Sequence, residues 1–233
     1  MEFLDGLAWL AEPAHWVGPS GIPVRVAEHI AYATFAIVVG ALIALPVGLW
    51  TGHTGRFGNV AINLGNLGRA VPDLGIVAIA AVLIGFGILP VLIALVALAV
   101  PPLLTTTYTA VRGIDPEVRD AAVGIGCTGR ELLRRVEIPL ALPLVFAGLR
   151  IATVQVIATA TISGFIGRAG GLGRYIFDGL VLFDTPRVVA GALLVATLGV
   201  LADVGLAALQ RRVTPRGARE GDVGADDAQS VAA

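Results

Sequence analysis

HIAYATFAIVVGALIALPVGLW, residues 29–50, carries no charged side chain beyond its first position. A helix needs about 20 such residues to cross the ~30 Å hydrocarbon layer of a bilayer. Similar runs recur from Ile88 to Tyr108, interrupted by Pro101-Pro102, from Leu142 to Ile166 and from Val188 to Leu209. The third of these four contains Arg150 and Gln155, and the fourth has Asp203 near its end. Between residues 50 and 88 the pattern is less uniform: 58–73 is mixed, whereas Leu74 to Phe86 is apolar throughout. Read together, these residues predict one long helix kinked at Pro72, with Arg69 and Asp73 four positions apart and so on one face. The expected fold class is an all-α integral membrane protein with about five transmembrane helices. A closed β-barrel would show alternation in units of ~10 residues, and these runs are too long and too continuous for that.

Composition leads to the same class. The 233 residues are 56% hydrophobic and 14% charged, with a mean hydropathy of +0.86. Soluble domains carry roughly 25% charged residues, and a soluble fold of this length has too little interior to hide the apolar surplus. Lipid as the solvent removes the conflict. All 16 basic residues are arginine and the net charge is −1, so there is no basic footprint for nucleic acid. The single cysteine, Cys127, excludes an internal disulfide. His15, His29 and His53 are scattered, without metal-ligand spacing.

Residues 1–28 lack the basic start of a signal peptide and form a short extracytoplasmic or interfacial lead, with Trp9 and Trp16 suited to a membrane surface. The membrane-spanning body runs over residues 29–210. Residues 211–233 are polar and rich in Gly, Ala and Asp, the composition of a disordered tail. Five crossings put the termini on opposite sides. One side then holds ten arginines (Arg56, Arg112, Arg119, Arg130, Arg134, Arg135, Arg211, Arg212, Arg216 and Arg219) and the other four (Arg25, Arg168, Arg174 and Arg187). The positive-inside rule places the richer side in the cytoplasm, with the N-terminus outside and the C-terminus inside.

The longest cytoplasmic connection, about 109–141, is patterned like a folded element. Asp115 can cap a helix that starts at Pro116. Gly124 and Gly126 interrupt it. Thr128 and Glu131 have capping-box spacing and can start a second short helix. Pro139 and Pro143 are expected to end that helix and begin the next crossing.

DAAVGIGCTGRELLRRVEIPLALP, residues 120–143, resembles the EAA loop of ABC importer permeases: Asp120-Ala121-Ala122 stands where that pattern has Glu-Ala-Ala. Gly126 follows at the expected spacing, and Val136-Glu137-Ile138-Pro139 matches the closing hydrophobic-x-hydrophobic-Pro. Three further stretches, at 107–126, 142–162 and 158–180, resemble the branch that carries glycine betaine, choline and carnitine. The resemblance covers residues 29–210. It implies a type I ABC importer permease with a cytoplasmic coupling helix, in the bacterial inner membrane. It also implies partners: an ABC ATPase subunit, a second permease, identical or related, and an extracytoplasmic substrate-binding protein. Asp120, Ala121, Ala122 and Gly126 are then expected to dock the ATPase and pass on its motion, with Pro139 fixing the exit from the loop. The GAGGLG-like element at 167–173 is shared with methionine and polar amino-acid permeases, and here Arg168 interrupts its glycine run.

Gly170–Gly173 lacks the Lys-Ser/Thr of a phosphate loop and is read as a tight external re-entry between helices. Without a Walker A sequence the chain is not expected to hydrolyse ATP, and no cofactor is implied. Polar groups at membrane depth are costly unless paired or wetted. Gln155 and Thr159, with Arg69 and Asp73, are therefore candidates for a translocation path; an intrahelical pair for Arg69 and Asp73, and interior packing for Gln155 and Thr159, are the alternatives. Tyr108, Tyr175 and Phe177 could offer cation–π contacts to a quaternary ammonium or serve as interfacial anchors. Competing classes are a methionine or polar amino-acid permease, a stand-alone secondary transporter, and, lacking HExxH, GxSxG or paired intramembrane aspartates, an intramembrane enzyme.

Overall fold

The structure, a computed structural model, describes residues 2–60, 62–63, 72–165 and 170–213. These residues are helical throughout their regular parts, and no strand occurs among them. The helices are α1 (Glu2–Ala11), α2 (Ile22–Thr54), α3 (Asp73–Ile84), α4 (Ile88–Arg112), α5 (Pro116–Gly124), α6 (Gly129–Leu132), α7 (Ile138–Thr159), α8 (Gly173–Leu182) and α9 (Thr185–Val213). A π turn, Leu133–Glu137, joins α6 to α7, and a 3-10 turn, Ala160–Phe165, extends α7.

Four helical stretches are long and apolar enough to cross a membrane: Ile22–Thr54, Ile88–Arg112, Gly129–Phe165 and Thr185–Val213. α4 is the central one. It packs against α2, α3 and α7, and its Val91, Leu95, Leu98, Leu103 and Leu104 sit in the main core beside Ala33, Ala36 and Ala44 of α2. The close approach of α2 to α4 follows from a stripe of small residues three and four apart. A Cβ on Gly40 would lie 2.9 Å from Ala99 Cβ, one on Gly48 2.7 Å from Thr107 Cβ, and one on Gly52 2.7 Å from Val111 Cβ. Between helices in lipid, where apolar burial gives little drive, such backbone proximity supplies the packing energy.

Three expectations change. The first crossing begins at Ile22, not His29, because Gly21 is extended and Pro23 occupies the first turn. The early charges Arg25 and Glu28 are accommodated as a pair at 3.0 Å. α4 runs unbroken through Pro101-Pro102. Pro72 does not kink a continuous helix. It is extended (φ −70°, ψ 123°) and precedes the helix, its carbonyl accepting from Gly75 and Ile76 to open α3. α3 itself is 12 residues, about 18 Å long; residues 61 and 64–71 of the expected crossing, Arg69 among them, lie outside the described residues. So do Arg168 and residues 214–233 of the polar tail. The N-terminal lead is folded: α1 packs on α9, with Gly6 against Val189.

Candidate functional site

Between α4 and α7 the chain builds a compact element from local signals. Asp115 Oδ1 accepts the Glu117 N–H at 2.9 Å and Pro116 opens α5. At the other end Gly126 N–H reaches Val123 O and Cys127 N–H reaches Ala122 O, while Gly126 takes φ +94°. This is a Schellman ending, and its left-handed residue is the position glycine suits. Gly124 is simply the last helical residue. The expected capping box is present in both directions between Thr128 and Glu131.

The element has an exposed face with apolar groups on it. Asp120 and Ala121 are exposed and Ala122 is buried. Val118, Val123 and Ile125 are 41%, 55% and 84% exposed. Three branched aliphatics exposed on so short an element are a feature suited to a protein partner.

Its inner face is tied by charge. Glu137, in the π turn, is 1% exposed. His53 at the end of α2 meets its Oε2 through Nδ1 at 2.6 Å, and Arg119 of α5 approaches its Oε1 with Nε at 3.2 Å. Arg119 also donates to the Val111 carbonyl of α4. A buried carboxylate holds its charge only with such partners.

Pro139 does not end the second short helix. The helical chain passes from Gly129 to Phe165 without a break. The π turn explains this: Ile138 N–H bonds Leu133 O, one residue further back than in an α-helix, so the ladder shifts where the proline ring and missing N–H would disrupt it.

On the span surface Arg150 of α7 clasps Asp203 of α9, and its Nη1 donates to Gln210 Oε1 at 3.2 Å. Gln210 Nε2 in turn donates to Pro143 O at 2.8 Å. Gln155 shares with Arg150 and Asp203 a groove of about 620 Å³. Thr159 closes α7 beyond that groove, and Asp73 opens α3.

A family model described as "Binding-protein-dependent transport system inner membrane component" matches residues 34–215. The chain belongs to this family. The glycine betaine/carnitine/choline transport system permease protein OpuCB of Bacillus subtilis is 38% identical over 193 residues, 83% of this chain and 88% of that protein. The choline transport system permease protein OpuBB of the same organism is 38% identical over 190 residues, 82% and 87% of the two chains. The permease chain of a solved structure, inward-facing MetNI methionine ABC transporter, superposes with a TM-score of 0.73 at 22% identity, covering 82% of this chain and 95% of that one, and shows a shared fold. The protein is thus the membrane component of a binding-protein-dependent transport system.

The opposite end of this permease is fastened as well. Glu28, His29 and Tyr32, in the first turns of α2, hold the glycine loop before α8. Gly171 N–H donates to Glu28 Oε2 at 2.8 Å, Leu172 N–H to His29 Nδ1 at 3.3 Å and Gly170 N–H to Tyr32 Oη at 3.3 Å. His29 Nε2 donates to Ile157 O at 2.9 Å, and Ser163 Oγ to Gly170 O at 2.7 Å. Tyr175 of α8 donates to Ser20 O at 2.6 Å. Burial pushes its phenol above the ordinary range, so it remains a donor. Its ring takes the edge of Trp9 and lies under Arg187.

Of the residues singled out in the sequence, Asp120, Ala121, Ala122 and Gly126 come together on one element. Gln155 joins Arg150 and Asp203 instead of Asp73. Glu137, His53 and Arg119 were missed as a group. The usable signal was Glu137 itself, an acid at the mouth of an apolar run, where an ionisable residue needs a named partner.

Proposed function

We propose that the chain is the permease subunit of an ATP-driven importer for quaternary-ammonium osmoprotectants of the glycine betaine, choline and carnitine class. The named specificities of OpuCB and OpuBB, each matched over more than four fifths of both chains, support that substrate class. The exposure of Val118, Val123 and Ile125 on the same short element as Asp120 and Ala121 supports the rest of the reading. A separate ATPase docks there and hydrolyses the ATP. An extracytoplasmic binding protein delivers cargo, and a second permease completes the pore, with the N-terminus outside and the C-terminus in the cytoplasm. The groove around Arg150, Asp203 and Gln155 faces that second permease and the path, since a partly exposed ion pair is poorly suited to hydrocarbon.

Transport follows alternating access. Closure of the ATPase pair draws the coupling helices together, the crossings rock open toward the binding protein, and hydrolysis resets them. Uptake of labelled glycine betaine, choline and carnitine, against methionine and polar amino acids, tests the substrate class in cells producing this chain with its neighbouring subunits. Uptake of an amino acid alone would replace that class. Ile125→Asp is expected to abolish uptake while insertion persists; full uptake would remove the docking role of α5.

A further inference from the structure

We infer that Glu137 is the joint through which movement of the coupling helix α5 reaches the first crossing, α2. The inference rests on the importer reading and deepens it. The two oxygens of one buried carboxylate are divided between two elements. Oε1 faces Arg119 on α5, and Oε2 takes His53 at the last turn of α2, 84 positions away in the sequence. Such a charge is stable out of water only while both partners remain. Drawing α5 away from α2 would strand the anion, so the three groups move together as one body.

The joint has reach because of what it joins. Glu137 lies within the helical stretch Gly129–Phe165, so it belongs to a crossing as well as to the coupling element. α2 is 33 residues long. From His53 to His29 its axis covers about 36 Å, and at the His29 end it grips the glycine loop through Glu28, His29 and Tyr32. A displacement delivered at α5 therefore arrives at Gly170–Leu172 through one continuous helix, which Pro46 does not break. Glu137 is a positioning residue: it touches no cargo and acts through the helices it holds.

The test uses the assembled importer, this chain with its ATPase, second permease and binding protein, in proteoliposomes. Glu137→Gln keeps the shape and removes the charge. At equal amounts of assembled complex, cargo imported per ATP hydrolysed is expected to fall at least about fivefold, the lower end of typical coupling between sites. Arg119→Lys should retain the wild-type ratio and Arg119→Gln should lose it, a contrast that mere folding defects would not produce. An unchanged ratio in Glu137→Gln overturns the inference. Independently, spin labels at Glu117→Cys and Arg56→Cys in a Cys127→Ser background should keep their separation to within about 2 Å between ATP-free and ATP-bound states. A larger change overturns the joint even if the other variants fail to assemble. Failure of the unsubstituted chain to bind any ATPase would instead remove the importer reading itself.

Discussion

Arg150 meets Asp203 side-on, Nε to one carboxylate oxygen and Nη2 to the other, both at 2.9 Å. This fork-to-fork geometry fixes α9 against α7 in angle as well as distance. Removing one partner leaves the other charge within a membrane helix. Asp203→Asn is therefore expected to reduce the yield of monodisperse protein extracted from membranes, whereas the double change Arg150→Met with Asp203→Leu should recover much of it. Size-exclusion profiles of the two variants and the unsubstituted chain check this. Equal profiles for Asp203→Asn and the unsubstituted chain would show the pair to be dispensable.

Gly126 and Gly124 are two residues apart, but only Gly126 has a left-handed backbone. Gly126→Ala should cost about 1–2 kcal/mol of local stability and lower cargo-stimulated ATP hydrolysis. Gly124→Ala, in open space at a helical position, should stabilise α5 or leave it unchanged. Limited proteolysis of the α5–α6 segment and ATPase assays on both variants read the difference. Equal behaviour would dissociate the Schellman turn from coupling.

The α2–α4 contact leaves no room at Gly48, where an added Cβ would lie 2.7 Å from Thr107 Cβ and 3.2 Å from Leu104 O. Gly48→Val should destabilise the bundle by about 1–3 kcal/mol through overpacking. Thermal unfolding in detergent measures it, and Gly199→Val, with nothing near the added Cβ, is the control.

Tyr175 should give the protein an alkaline limit. Its phenol is held protonated by burial, so the folded state binds this proton more tightly than the unfolded chain. Its contribution is then fully present below the ordinary tyrosine value of about 10 and is lost as pH rises through the higher folded value. Tyr175→Phe should lose about 1 kcal/mol at neutral pH through the missing bond to Ser20 and show a flatter stability profile above about pH 10. Unfolding curves across that range decide it; a profile as steep as that of the unsubstituted protein would assign the alkaline loss to another group.

Cys127 is partly exposed, two residues beyond the exposed Ile125. A membrane-impermeant thiol reagent should label it in inverted vesicles and not in intact cells, and a bound ATPase should protect it. Labelling from outside would reverse the orientation of the chain.

Sequence reading succeeded where the signal was local. Asp115-Pro116 and Thr128–Glu131 act within four residues of themselves, so their caps and the helices they start could be read from adjacent letters. The four long crossings were legible because apolar length needs no tertiary knowledge. Reading failed where a distant partner or a shifted ladder decided the outcome. Arg25 and Glu28 looked like the outer limit of a span, yet Glu28 is satisfied by Gly171, 143 residues on. Pro139 looked like a stop, but the π turn before it carries the helix through. Glu137, with His53 and Arg119, belongs to the same group: a charge in an apolar run announces that it needs partners without naming them.

The extra residue of the Leu133–Glu137 turn also sets a phase. In a rigid rod each residue turns the side chains by about 100°, so one residue gained or lost there would swing every later side chain by that amount relative to α6. Deleting a single position would leave Thr128, Glu131 and their helix where they are and rotate Arg150 off Asp203. The orientation of the surface bearing Arg150 is thus indexed to α6 by one amino acid, and insertions or deletions in this short stretch should be far less tolerated than substitutions.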